Sequence, residues 1–305
     1  MGRGGSSRGY HFISEYRSCP RKWFLLNIVG LESPDLNAAT SMGTILHAAQ
    51  EKFFCGDFRE YENSYRSEIL ELSEPYRAAW FEDEDFDEAI DKMAKGFQRW
   101  RNEFGKHDLE TYDTVGVELE LKAMLPIGIE VTGRIDRLFR EKATGALVFH
   151  DTKTTSWGAE AAHKKVELDD QVTMYTWLLQ QHYDDQPIEM IPDIMYMRPK
   201  VPTCHRFGAI RRSRQDVEAL VWGLCHDYDE LRRNLECYES NCAPPEYLFP
   251  RHATVCSEFG CEFEAICRAR LDEETPPPLG YTRYQPLTLS ALFPKNGIDS
   301  NSDQA

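Results

Sequence analysis

The feature that most constrains this chain is a change of hydrophobic period near residue 114. Upstream, apolar residues recur at helical spacing. Residues 12–29 read as an amphipathic helix anchored by Trp23, Phe24 and Leu25, and residues 39–55 as a second helix with Thr40 or Ser41 as its cap. The stretch 60–105 reads as two exposed helices with an acidic loop near 82–87. From 114 onward the residues alternate instead. TVGVELELKAM (114–124), IEVTGRIDRLFR (129–140) and ALVFHDTK (146–153) each have period two, and the turn KATG joins the last two. A helix is then expected over 167–183, strands over 190–197 and 204–210, and a long helix over 214–237. Helices, a three-stranded meander, a helix and more strand define an α+β or mixed α/β core: a central mixed sheet flanked by helices.

The meander carries chemistry. Asp136 lies on its second strand, Asp151 near the end of the third, and Lys153 two residues on, on the same face as Asp151. Two carboxylates converging from adjacent strands make an oxygen-rich site for Mg²⁺ or Mn²⁺. Such an ion polarises a phosphodiester and acidifies water, and a lysine beside it orients or deprotonates that water and offsets negative charge. An isolated D-x-K is a weak pattern, and edge-strand ion pairing explains most instances. Here Leu147, Val148 and Phe149 lead into Asp151 as a strand interior, and Gly133 before Asp136 permits close backbone approach.

The strings GRIDRL (133–138), HDTKTTS (150–156) and QVTMY (171–175), in that order, resemble the PD-(D/E)XK nuclease superfamily. More narrowly, they are similar to its RecB/AddB branch, which includes CRISPR-associated RecB-like exonucleases. The resemblance implies a restriction-endonuclease-like core. It makes Asp136, Asp151 and Lys153 catalytic, with Gln171 and Tyr175 supporting them from one helical face. It also places a metal-ligating histidine on an upstream helix, which SMGTILHAAQEKF (41–53) supplies as His47 beside Asp136 and Asp151. The residues alone would leave His47 as a surface or capping residue. The implied activity is metal-dependent DNA hydrolysis, as an exonuclease on single-stranded ends. The alternative is a non-catalytic or partner-dependent module working with a helicase, recombinase or CRISPR-adaptation protein.

Of nine cysteines, Cys256, Cys261 and Cys267 crowd into CSEFGCEFEAIC. Three thiols in twelve residues of loop-rich sequence point to zinc or iron–sulfur, with a fourth ligand from elsewhere. The same resemblance implies a [4Fe–4S] cluster with one cysteine far upstream, and EYRSCPRKWFL (15–25) supplies Cys19 there. The C-terminal spacing here is C-x₄-C-x₅-C, where C-x₂-C-x₅-C is usual. Cys242 is an alternative fourth ligand and zinc an alternative metal. The odd cysteine count argues against a disulfide framework, and Cys225 reads as a small buried apolar residue.

Net charge is −16, but it is segregated. Residues 57–91 hold 13 acids against three arginines, whereas 198–214 hold six basic residues and no acid. Arg198, Lys200, Arg206, Arg211 and Arg212 are therefore candidates to track DNA phosphates, and Trp157 with Lys164 and Lys165 to stack on or clamp a single strand. Solvated surface is the competing explanation for each run. No apolar run of 18 residues spans a membrane, and MGRGGSSRGYHF lacks the apolar region of a secretory signal. The expected location is the cytoplasm (a host cell's, for a viral chain). The expected organisation is a disordered 1–10, a helical region 11–110, a nuclease core 111–240, a cysteine-rich segment 241–271 and a tail 272–305.

Overall fold

A computed structural model describes residues 8–32, 38–56, 64–80, 82–183, 188–258, 261–269, 282–283 and 285–293. The chain divides into two compact units. One comprises Met1–Pro34, Met124–Ile129 and Trp222–Ala305; the other comprises Asp35–Ala123 and Glu130–Val221. Among the described residues no helix is long and apolar enough to cross a membrane.

The first unit opens with α1 (Tyr10–Ser18) and α2 (Pro20–Asn27), not the single helix expected over 12–29. Pro20 has no N–H and disfavours helical geometry at the residue before it, so the chain breaks at Cys19. Cys19 is extended there (φ −156°) and caps α2, its sulfur accepting the Lys22 N–H at 3.5 Å. Trp23 and Phe24 of α2 are fully buried and stack on Phe249. The strand β1 (Leu31–Glu32) follows.

The second unit begins with α3 (Ala38–Phe54), in which Thr40 and Ser41 lie inside the helix and do not cap it. Then come α4 (Ser64–Ser73), a 3₁₀ turn Glu74–Ala79 and α5 (Asp83–Trp100). The acidic stretch expected as a loop is the first turn of α5, where Asp83, Glu84 and Asp85 meet the positive end of the helix dipole. Nor is α5 an exposed helix. Phe86, Ile90, Met93, Phe97 and Trp100 bury one face against Ile45, Leu46 and Phe53 of α3 and Ile69 of α4. A π-turn (Arg101–Gly105) and α6 (Lys106–Thr111) lead into the sheet.

The sheet has five strands in the order β2 (Tyr112–Met124), β3 (Glu130–Glu141), β4 (Leu147–Thr155), β5 (Ile188–Tyr196) and β6 (Thr203–Arg206). It is mixed: β3–β4 and β5–β6 are antiparallel, while β4–β5 is parallel. Parallel neighbours need a long crossover, and two helices supply it. These are α7 (Ala159–Glu167) and α8 (Asp170–His182), where one helix over 167–183 was expected. Asp169 separates them because its carboxylate caps α8 through the Gln171 N–H at 2.9 Å. The expected strand 204–210 stops at Arg206, and only a single bridge joins Ile210 to Met190.

The long helix α9 (Arg214–Glu239) starts in the second unit and ends in the first, followed by the short helices α10 (Pro245–Leu248), α11 (Ala253–Glu258) and α12 (Glu264–Ala269). Cys237 and Cys242 are joined as a disulfide, a single local pairing and not a framework, which leaves Cys242 paired with Cys237 and not with the other three C-terminal cysteines. Cys225 is buried as expected. Part of the expected tail is docked: β7 (Thr282–Arg283) pairs with β1, the Leu287 N–H donates to the Asn27 carbonyl, and α13 (Leu289–Leu292) receives Arg8 on the Ala291 carbonyl. The rest of that tail, and residues 1–7 of the expected disordered start, lie outside the described residues.

Gly133 of β3 fixes how closely α8 approaches the sheet. A Cβ there would stand 2.5 Å from Leu178 Cδ1 and 2.9 Å from Tyr175 Cε1. Gly133→Ala should therefore destabilise the protein by about 1–3 kcal/mol. Urea unfolding at constant m-value checks it, and an unchanged midpoint would rule out the tight contact.

Candidate active site

The β3–β4 register brings the carboxylates together. Arg137 pairs with His150, so the next step of the same ladder sets Asp136 opposite Asp151. Asp136 Oδ2 accepts the Thr152 N–H at 2.9 Å and lies 3.2 Å from His47 Nδ1. His47 is delivered by α3, which lies close to β4 at Gly43, where a Cβ would stand 3.2 Å from Thr154 Oγ1. Its Nε2 is 2.8 Å from the Thr152 carbonyl.

Lys153 Nζ donates to Asp151 Oδ1 at 3.1 Å and to Gln171 Oε1 at 2.8 Å. The Gln171 amide N–H in turn donates to Tyr175 Oη at 3.0 Å. The helix α8 thus aims the lysine: Tyr175 fixes Gln171, and Gln171 fixes the ammonium. The structure therefore gathers Asp136, Asp151, Lys153, Gln171, Tyr175 and His47 in one place.

The charges there are strongly perturbed. Burial raises the Asp151 pKa, and Lys153 only partly opposes it. Burial would also raise Asp136, but His47 outweighs it and holds this carboxyl well below the usual range. Burial would lower Lys153, but Asp151 and Asp136 keep it above its ordinary value. Burial likewise opposes charge on His47, yet Asp136 pushes it up to about 9.

A divalent cation fits these residues. Asp151 Oδ2 is buried and accepts no hydrogen bond; Lys153 Nζ stands 2.9 Å away but off the hydrogen-bonding direction. That ammonium is the charge this oxygen meets here, and it is the donor set, two carboxylates and an imidazole, that suits a divalent cation. Asp136, Asp151 and His47 are the residues that would hold it.

One residue of the site was not legible beforehand. Glu118 of β2 lies with His47 and Asp136 so that their ligand atoms are all within 4.8 Å of one another. It has φ +47°, a left-handed backbone that costs a residue other than glycine about 1–3 kcal/mol. In VELELK it is one more polar residue of an alternating strand, and nothing in the spacing marks it.

Beneath the site runs a buried ion network. Arg137, 1% exposed, donates to Thr152 Oγ1 at 2.8 Å and reaches Asp193 Oδ2 at 3.4 Å. Arg206 forks onto Asp193 and Asp108, and Trp100 Nε1 also donates to Asp193. Arg206, expected on DNA, is therefore held in the interior. Arg212 is likewise engaged, on Thr173 Oγ1 and the Glu167 and Asp169 carbonyls, and Arg211 pairs with Glu189. Arg198 and Lys200 are exposed, as are Lys164, Lys165 and Trp157, the last at 80%.

The cysteine set lies in the first unit. Cys261 and Cys267 pack beside Phe263, Ile266 and Leu26. Burial raises both thiols, Cys267 to about 11, and each senses the charge of Cys19 and Cys256. The four sulfurs therefore share one neighbourhood. A tetrahedral zinc with Zn–S bonds of about 2.3 Å would need sulfurs about 3.8 Å apart. Among the described residues no three cysteine sulfurs lie within 4.8 Å of one another.

The comparisons with known proteins agree with this geometry at the level of family. The model of the PD-(D/E)XK nuclease superfamily matches residues 11–268, and the chain belongs to that superfamily. Its five-stranded mixed sheet flanked by helices is the restriction-endonuclease-like fold. No functionally curated protein matches it. Among solved structures, a candidate exonuclease from Eubacterium rectale is similar at 10% identity and TM-score 0.43, over 86% of this chain and 81% of that one. The protein SSO0001 is similar at 17% identity and TM-score 0.31, over 75% and 96%.

The raised His47 pKa has a definite sign. In the metal-free protein its pairing with Asp136 stabilises in full below the unfolded value of 6.5 and is lost as pH rises through about 9. Chelator-treated protein should lose thermal stability between pH 6.5 and 9.5. His47→Gln should flatten that part of the curve; identical slopes would exclude the pair.

Proposed function

We propose that this protein is a deoxyribonuclease that uses Mg²⁺ or Mn²⁺ to hydrolyse phosphodiesters, acting as an exonuclease on single-stranded ends. The observation that carries it is the convergence of the Asp136 and Asp151 carboxylates and His47 beside an ammonium aimed by α8. A bound divalent ion supplies Lewis-acid polarisation of the phosphodiester and a more acidic water. Asp136, Asp151 and His47 would hold that ion. Lys153, protonated, offsets the charge that develops on the phosphoryl oxygens, and Gln171 and Tyr175 keep it aimed. Exposed Trp157 and Lys164/Lys165, just after the active strand, favour a single strand held by stacking and phosphate contact. Arg198 and Lys200 extend the same cationic surface.

Cys19, Cys256, Cys261 and Cys267 hold a [4Fe–4S] cluster in this protein, as its resemblance to the RecB/AddB branch implies. The mutual charge effects of Cys19, Cys256, Cys261 and Cys267, which belong to one unit, support a shared site. A helicase, recombinase or CRISPR-adaptation protein is the class of partner that would deliver DNA ends.

Asp136→Ala, Asp151→Ala and Lys153→Ala should each lower Mn²⁺-dependent digestion of end-labelled DNA by about a hundredfold or more while the chain stays folded. Wild-type cutting by Asp151→Ala would sink the assignment. Protein purified without oxygen should be brown, and Cys19→Ser and Cys267→Ser should be colourless. A colourless wild type containing stoichiometric zinc would reject the cluster.

A further inference from the structure

Thr152 sits between Asp151 and Lys153 on β4, so its side chain leaves the opposite face of the sheet from theirs. Its backbone serves the cleft. The N–H donates to Asp136 Oδ2 at 2.9 Å, and the carbonyl stands 2.8 Å from His47 Nε2. Its hydroxyl, fully buried on the other face, accepts from Arg137 Nη2 at 2.8 Å. Arg137 follows Asp136 on β3, and the same alternation sends it inward while Asp136 faces the cleft. The guanidinium carbon lies 5.2 Å from the centroid of the Trp100 ring and 5.8 Å from that of Phe54. Nη2 also reaches Asp193 Oδ2 at 3.4 Å. That carboxylate is already gripped by Arg206 at 2.7 and 2.8 Å and by Trp100 Nε1 at 3.0 Å. The tightest hydrogen bond of Arg137 is therefore the one to Thr152, and two rings hold the planar cation in place to make it.

We propose that Arg137 is a positioning residue for the cleft: through the Thr152 hydroxyl it fixes the peptide groups that orient Asp136 and His47 toward a cation. Arg137 touches neither the cation nor the substrate. It acts on the ligands from the far side of the sheet, and groups that orient ligands in this way set metal affinity. A second role competes with this one, because Arg137 also balances the buried charges of Asp193 and Asp108. Replacing the arginine disturbs both roles at once, whereas replacing Thr152 separates them. Loss of the hydroxyl leaves all four buried charges in place and removes only the link to the active strand. The proposal rests on the nuclease reading only in taking Asp136, Asp151 and His47 as a cation site.

The test is Mn²⁺ binding to the chelator-treated full-length protein, without DNA, read from the electron paramagnetic resonance of free Mn²⁺. Thr152→Val keeps the branched shape and every ionisable group but removes the acceptor, and it should weaken Mn²⁺ binding by about tenfold. Thr152→Ser keeps the hydroxyl and should restore the wild-type affinity. A folded Thr152→Val that binds as tightly as wild type overturns the proposal. So does a Thr152→Ser as weak as Thr152→Val, since the lost property would then be packing. If Thr152→Val does not fold, Arg137→Lys decides. It keeps the charge but not the planar, ring-stacked donor, so it too should bind weakly, and wild-type affinity would overturn the proposal. Failure of the nuclease reading looks different. A wild type that binds no Mn²⁺ removes the cation site and the proposal with it, whereas Mn²⁺ binding without DNA cleavage sinks the nuclease reading alone.

Discussion

Three carboxylates that repel one another are gathered in a largely buried place, and much of the second unit is arranged around that fact. Taking a carboxylate out of water costs several kcal/mol even after relaxation, and a like charge beside it adds to the cost. Asp136 and Asp151 face each other because the β3–β4 register puts them there, and Glu118 joins from β2 through a strained residue. The compensation comes from separate elements: His47 on α3, Lys153 on β4, Arg134 on β3. His47, and the Gln171 that aims Lys153, come on helices and need a close approach. Gly43 and Gly133 are where α3 and α8 come near enough to supply it.

A second set of charges, deeper in the same unit, solves the same problem by neutrality. Arg137 and Arg206 match Asp193 and Asp108 in number, and Trp100 fills a further valence of Asp193. Burial would raise Asp193, yet Arg206 holds it below the usual range, while burial leaves His150 neutral. This network reaches the active strand through one bond, Arg137 to Thr152 Oγ1. The backbone of Thr152 holds Asp136 with its N–H and His47 with its carbonyl. The interior ions therefore set the position of the residue around which the reactive groups are oriented.

This division explains what the sequence could disclose. Period-two runs announced β2, β3 and β4 because alternation is a local property. The order of GRIDRL, HDTKTTS and QVTMY placed Asp136, Asp151, Lys153, Gln171 and Tyr175 because their neighbours are near in the chain. Arg206 misled, because a run of basic residues shows linear charge density but not the acids at 108 and 193 that meet it in space. The stretch at 83–87 misled for a related reason: as a string it is a solvated loop, whereas as the first turn of a helix its charges meet aligned peptide dipoles. Glu118 was invisible because its role depends on a backbone conformation that glutamate does not advertise.

The balance of charge in the cleft also orders events. Glu118, Asp136 and Asp151 outnumber Lys153 and the partly solvated Arg134 there, and a proton on His47 only offsets the difference. The incoming phosphodiester is itself an anion, so the bare cleft offers it little attraction. The exposed cations, Lys164, Lys165, Arg198 and Lys200, lie elsewhere in the chain, Arg206 and Arg212 of the basic run are held by partners within the unit, and Arg211 makes an exposed ion pair with Glu189. In the proposed nuclease, DNA association by this surface would be modest and salt-sensitive, and a divalent charge held by the carboxylates would reverse the field that the phosphate meets. On that reading, cation and substrate binding would be coupled through charge.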